Sequence, residues 1–509
     1  MRKRRAAKII LVILLLTAIC GSLLGCKQEK SEFDSIEDFQ HARIGLLTGS
    51  SFAEMSRKTF PEAECKYYML ITDMILSLEQ GKIDGFLMDE CFLAPIQWEQ
   101  GKISYIDETI YKSCYGYVFK KGSHGLKEEI NDFIAAKKAD GTMEALEAKW
   151  FGESEPEGES AMVDLSDLKA EKGTLKMAVS SSVKPFVYVK NNTYTGFDVE
   201  FAAAFCREKG YGLEITDMTF EGIIPGVMTG KYDFGAAGIT MTDERKEGVD
   251  FSEIYHNGNV VMAIKSEEHS TGFIDGMKNN FEKTFIREAR WKTLVKGIGN
   301  TVFITACAAV LGTALGFGLY MLSRAWGRPV LRAAKVYTRI MAGTPIVVVL
   351  MILFYVIFGS SAIDGIWVAI MAFTLTVGAS VYNNLSVSVA GVDMGQSEAA
   401  YSLGYSRNRT FFKIILPQAM SQFMPFYQGE LVSLIKGTSV VGYIAVEDLT
   451  KMSDIIRSST YEAFFPLICT ALIYFALISL IWFAMGKAKR LFEPKRRNRE
   501  TVLKGVKIK

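Results

Sequence analysis

Glu430 and Lys436 stand inside an otherwise apolar run over residues 424–446. A charge in such a run is expensive, so it faces a cavity, a water path or a partner. Both are therefore candidate linings of a translocation path, with mutual pairing for packing as the alternative. Just upstream, the stretch EAAYSLGYSRNRTFFKIILPQA, Glu398 to Ala419, is polar and basic between two apolar runs. Nucleotide chemistry has no seat in the chain. No GxxxxGK[ST] occurs, and MTGKYD lacks both its spacing and its hydroxyl residue, so any ATP hydrolysis belongs to a separate subunit. The eight cysteines form no CxxC pair and no metal pattern, so no metal and no cofactor is expected. Cys91 and Cys114 remain open as a disulfide if their geometry permits one. A net charge of +2 over 509 residues points to no nucleic-acid partner.

Charge position says more than charge total. MRKRRAAK precedes the apolar IILVILLLTAICGSLLG, which reads as a secretory signal, with an uncleaved anchor helix as the alternative. LLGC, Leu23 to Cys26, resembles a bacterial lipobox and would make Cys26 a lipidated N-terminus, although Leu24 is bulkier than usual there. Five apolar runs lie near 297–322, 336–358, 364–389, 424–446 and 464–486 and are read as five membrane spans. Basic residues cluster after the first run (Arg324, Arg328, Arg332, Lys335), after the third (Arg407, Arg409, Lys413) and in the tail at 491–509. The positive-inside rule then places the start of the first span outside and the C-terminus in the cytoplasm. The segment around EDLTKMSD reads as a mixed-charge outer loop. Phe281 to Gly297 is basic yet outside; its Phe281, Phe285, Ile286 and Trp291 suggest an amphipathic helix on the membrane surface, or a plain linker helix.

Residues 31–290 have the composition of a soluble region. LKMAV reads as a strand, FVYVKNNTYTG as strand, turn and strand, and DVEFAAAFCREKG as a helix closed by Gly210. Alternating strands and helices imply an α/β fold with a central sheet. KPF, TGFDVE, GKYDF, GITMTDER and VDFSEIY follow in an order and spacing that resemble lobe 1 of the family 3 solute-binding proteins, over 174–268. ARIGLLTGSSFAE, LEQGKIDGFLMDE, YGYVFKKG and KADGT with KWFG resemble lobe 2 of the same family, over 31–155. The second lobe thus comes first. The acidic segment 156–173 between them is expected to be a solvated connector. A circularly permuted single domain and a relic of two tandem domains are both open; permutation is physically reasonable because domain termini lie near each other.

That resemblance implies a bilobal, periplasmic-binding-protein-like type II fold and a polar amino acid as ligand. A buried zwitterion needs a partner for each charge. The resemblance gives Arg245 the carboxylate, since guanidinium binds it bidentately, and Asp89 the ammonium. It puts Gly238, Thr240, Ser50 and Ser51 at donor positions around the ligand and Phe186 in the wall. The aromatic that stacks on the ligand in the family is here Val183, with Tyr188 as a substitute.

EAA, three residues, Gly404, nine residues and IILP ending at Pro417 resemble the cytoplasmic coupling loop of binding-protein-dependent ABC permeases. With AGTPIVVVLMILFY and GELVSLIKGTSVVGYIAVEDLT, the likeness extends over 281–490 and implies an all-α membrane domain. It makes Glu398, Ala399, Ala400 and Gly404 the contact core for an ABC ATPase subunit, present in two copies, and asks for a second permease half, either a homodimer or another chain. Asn383 and Ser386 replace the charges expected in the third span. The function implied is the binding and permease component of an amino-acid importer in a bacterial inner membrane; the rival is a permease whose rearranged outer region is regulatory. A ligand-gated channel would carry its pore between the lobes, whereas here every apolar run follows both.

Overall fold

The computed structural model describes residues 33, 35–100, 103–152, 154–266, 278–359, 361 and 363–492. The signal segment, Cys26 and the tail beyond Phe492 lie outside the described residues. The first segment gives β1 (Arg43–Leu47), α1 (Phe52–Thr59), β2 (Glu64–Tyr68), α2 (Ile71–Glu79), β3 (Gly85–Asp89), α3 (Glu90–Gln100), β4 (Ile103–Tyr115), β5 (Val118–Lys120), α4 (His124–Ala139) and α5 (Thr142–Trp150). The second gives β6 (Thr174–Val179), β7 (Tyr188–Lys190), β8 (Thr193–Thr195), α6 (Phe197–Lys209), β9 (Gly212–Asp217), α7 (Phe220–Met228), β10 (Phe234–Gly235), α8 (Asp243–Gly248), β11 (Val249–Phe251) and β12 (His256–Lys265).

Two five-stranded sheets result, ordered β2-β1-β3-β12-β4 and β11-β5-β10-β6-β9. Each borrows a strand from the other segment. The last strand of the second segment, β12, lies between β3 and β4 and pairs with β4 antiparallel from His256–Tyr115 to Lys265–Ile103. In return β5 lies between β10 and β11. So 31–155 and 174–268 do not each fill one sheet. Burial explains the central places: β3 is covered along its whole length, as a strand with elements on both faces must be, whereas no residue of the edge strand β2 is fully buried and Glu64 and Tyr67 are exposed.

The chain passes between sheets twice, at Gly116–Tyr117 and at 252–255, and the two crossings are bonded to each other. Tyr117 N donates to Ser252 Oγ at 3.0 Å. Ser252 N donates back to Tyr117 O at 2.9 Å, and Tyr255 N to Tyr115 O at 3.0 Å.

The connector 156–173 is exposed along most of its length but is anchored to the lobe at a few apolar positions. Ala161 and Val163 are buried, and Leu165 and Leu168 pack on the same core. These apolar residues recur at short spacing, and Arg207 fixes the segment by a two-pronged pair with Asp167 at 2.6 and 2.8 Å. Its acidity accords with that exposure, whereas Glu155 just ahead is held by Lys184 at 2.9 Å and Lys190 at 3.0 Å.

The C-terminal region is helical: α9 (Trp291–Trp326), α10 (Arg328–Gly343), α11 (Ile346–Met351), α12 (Gly365–Ala390), α13 (Met394–Ser402), α14 (Arg407–Thr410), α15 (Leu416–Gly437), α16 (Leu449–Thr460) and α17 (Phe464–Phe492). Among the described residues three helices are long and apolar enough to cross a membrane, or up to five spans if two bent pairs each count as one. The expected second span, 336–358, is broken: α10 and the helix from Ile346 to Ile357 meet at 106°. Pro345 causes the break, because it lacks an N–H and clashes with the preceding turn. The fourth run ends in a 55° bend into α16, so EDLTKMSD is a helix rather than a loop. Asp448 caps it by accepting from the amides of Thr450 and Lys451, and Leu449, Met452, Ile455 and Ile456 form its buried stripe. Phe281 to Gly297 is not one amphipathic helix: Glu288, at φ 56, separates a short turn of helix from α9.

Lys184 is only 3% exposed, so Glu155 is its counter-charge in the interior. Glu155→Ala is expected to destabilise the full chain by about 3 kcal/mol, read as a lower thermal midpoint, and Glu155→Ala with Lys184→Met to recover most of it. A single variant that melts like the parent would refute this.

Candidate functional site

Arg245 lies in the first turn of α8, where Thr242 Oγ1 caps the helix by accepting from Arg245 N. Its guanidinium donates to Thr240 O and to Gly49 O, each at 2.7 Å. Gly49 belongs to the β1–α1 turn of the other sheet, so this one side chain ties the two lobes together across their cleft. Burial lowers its pKa to about 10, which keeps it cationic at neutral pH. A guanidinium has five N–H donors, and the remaining ones can meet an anion. Two residues on from Gly49, Ser51 Oγ is buried with no partner among the described residues, whereas Ser50 Oγ turns back to Leu47 O at 2.6 Å.

Several expected ligand groups are otherwise engaged. Gly238 was expected to offer its backbone around a ligand, but its N–H donates to Asp198 Oδ2 at 3.0 Å. Its positive φ of 55° and the Phe186 ring, 2.8 Å from where a Cβ would sit, reserve the place for glycine. Thr240 pairs through its backbone with Tyr115. Phe186 is fully buried among Phe92, Tyr115 and Phe151, with ring centroids 5.0 to 5.2 Å away, which makes it interior packing. Tyr188 does not face the cleft; it meets Trp150 and Glu155.

Asp89 is fully buried at the end of β3. It accepts from Ser113 Oγ, from Tyr115 OH at 2.9 Å and from Cys91 N at 3.3 Å. It also covers Gly258, where a Cβ would be 2.1 Å from its Oδ2. The structure therefore places Arg245 at the cleft and Asp89 beneath the hinge strands, with Tyr115 between them: its backbone pairs with Thr240 and its hydroxyl donates to Asp89. Cys91 and Cys114 carry free thiols, so the disulfide left open by the sequence is not formed.

The membrane region contributes residues that sequence reading missed. On α16, Lys451 Nζ donates to Asp217 Oδ1 at 3.2 Å and Met218 O at 3.1 Å, both on the β6–β9 side. Arg457, two turns on, pairs with Asp73 of α2 on the β1–β3 side, while Thr72 Oγ1 donates to Arg457 O at 3.3 Å. One helix thus holds both lobes. Lys231 adds a third contact, with its ammonium 4.1 Å from the Phe354 ring centroid and 3.2 Å from Ile363 O. Partners 234 and 384 residues apart leave no local pattern to read.

In the segment 398–417, Glu398 and Ala399 are exposed on α13 and Ala400 is buried. Gly404 takes φ +82, which stops the helix, and Pro417 opens α15. Met394, Tyr401 and Leu403 stand exposed nearby, leaving an apolar face beside Glu398. Glu430 is half-buried and lies against Ser380 of α12; Lys436 is exposed. Six positions apart, they sit on different helix faces, and no ion pair joins them among the described residues.

Asp198 is buried beside Tyr117 and Tyr255, and burial raises its pKa from 3.8 to about 7. The folded carboxyl therefore keeps its proton to higher pH than the unfolded one. Its contribution to stability is complete below about pH 4 and is lost as pH rises through about 7. Asp198→Asn is expected to flatten the fall in thermal midpoint between pH 5 and 8 relative to the parent; parallel curves would refute the assignment.

Comparison with known proteins gives two kinds of likeness. Residues 26–153 and 175–459 match the model of the bacterial extracellular solute-binding proteins, family 3. The permease region is similar to the arginine transport system permease protein ArtQ of Bacillus subtilis, 31% identical over 197 residues, which covers 38% of this chain and 90% of that one. It is also similar to the L-cystine transport system permease protein TcyL of Bacillus subtilis, 32% identical, covering 39% of this chain and 87% of that one. A solved amino acid ABC transporter aligns with 44% of this chain and 99% of its own, at 25% identity and a TM-score of 0.38.

Proposed function

We propose, from the premise that the chain belongs to the bacterial extracellular solute-binding proteins, family 3, and is an amino-acid ABC transporter permease carrying a solute-binding domain, that it captures a polar amino acid between its lobes and passes it through its own membrane helices. The observation that carries the reading is Arg245: a partly dehydrated cation at the meeting of the lobes, bonded to Thr240 O and Gly49 O and with N–H donors to spare. The binding region is outside the cell and the C-terminus in the cytoplasm. The exchange of β5 and β12 supports a single permuted binding domain over two tandem relics.

Two copies of a separate ABC ATPase supply the energy. The exposed α13 face around Glu398, Ala399 and Gly404 is where each docks, and α15, entered through Pro417, carries that motion into the spans. Glu430 lines the path; a second permease half, identical or not, completes it. A specific observation favours the rival reading of a regulatory outer region: Asp89, which should meet the ammonium, is fully buried and already accepts from Ser113, Tyr115 and Cys91.

Titration of the full chain in lipid nanodiscs against the common amino acids decides between them. The importer reading expects tight binding of one or a few, weakened on the order of a hundredfold by Arg245→Ala. No binding by folded protein would leave a permease supplied from elsewhere. In reconstituted vesicles with the ATPase, Glu398→Lys is expected to abolish substrate-stimulated ATP hydrolysis while binding is unchanged; undiminished coupling would remove α13 from this role.

A further inference from the structure

Next to Arg245 lies a cavity of about 150 Å³, walled by both lobes and by α16. Two residues join it to the cleft. Phe220 lines the cavity and has its ring centroid 5.9 Å from the Arg245 guanidinium carbon. Glu221 lines it too, and its side chain packs over Gly49, where a Cβ would be 2.8 Å from Glu221 Cγ. Gly49 is the residue whose carbonyl takes the Arg245 donor. The volume is that of about five waters, enough for the outer half of a long side chain.

The charges around the cavity do not balance. Lys451 is paired with Asp217. Arg457 is shared by Asp73 and, at 2.9 Å, by Asp454. Glu221 has no cation within ion-pair distance among the described residues; Lys451 attracts it only from farther off, and burial outweighs that attraction and the Thr219 hydroxyl, raising its pKa. A carboxylate in the first turn of a helix is favourable by itself. That would account for an exposed glutamate, but it does not require one folded across the cleft and facing a closed space.

We propose that this cavity receives the side chain of the transported amino acid, that Glu221 selects a cationic one, and that α16 of the permease forms one wall of the site. The proposal rests on the importer reading, with Arg245 holding the carboxylate. The site is then complete only where the lobes and the permease meet, since Asp454, Arg457 and Ser458 all come from α16.

The test compares arginine with citrulline, which has the same length and a neutral head group, on the full chain in nanodiscs. The parent is expected to bind arginine about tenfold or more tightly over citrulline, and Glu221→Gln to bring the ratio close to one without weakening citrulline. Ser458→Phe, which narrows the cavity from the permease side, is expected to weaken arginine by a similar factor. Equal affinity of the parent for both ligands, or a ratio unchanged in Glu221→Gln, overturns the selector while leaving the importer reading intact. Undiminished arginine binding in Ser458→Phe overturns the permease wall. Should Glu221→Gln fail to fold, the parent's own ratio still decides. Binding of no amino acid at all by the parent sinks the importer reading and this proposal with it.

Discussion

The exchange of two strands between two sheets is the constraint on which the outer region depends. β12 fills the gap between β3 and β4, and β5 the gap between β10 and β11. Without the exchange, each sheet would have bare edges at its centre, with unpaired backbone groups in the interior. The two crossings are bonded to each other at Tyr115, Tyr117, Ser252 and Tyr255, so the lobes share a stiff two-stranded hinge. The aromatic packing of Phe92, Phe151, Phe186 and His256 around Tyr115 fixes that hinge from the side.

A second constraint is laid on the first by α16. Lys451 reaches one lobe and Arg457 the other, and both are nearly buried at 9% and 5% side-chain exposure. Removing one partner of a buried pair is costly because the other charge is left behind. Opening the cleft therefore means separating at least one lobe from the permease. The separation of the lobes and their contact with α16 are thus tied together.

Local chemistry was legible in the sequence where it repeats within a few residues. β6 over LKMAV and α6 closed by Gly210 stand where pattern and capping put them. The sequence misled where tertiary partners decide. Acidic 156–173 read as solvated because Ala161 and Val163 are sparse among the charges, yet they are buried. EDLTKMSD read as a loop because Lys451 and Asp454 look like surface residues until Asp217 and Arg457 are placed beside them. For Asp89, nothing local reveals that Ser113 and Tyr115, a strand away, donate to it.

The strand exchange also bears on how the chain is made. A ribosome delivers β1, β2, β3 and β4 long before β12, and the sheet they form has no centre until His256–Lys265 emerges. The first half must wait, open and apolar, through the making of the whole second half, and non-local pairing of that kind is slow to form. β12 is also the last strand before α9, the first long apolar helix. Maturation of the outer region and membrane insertion thus fall in the same short interval of synthesis.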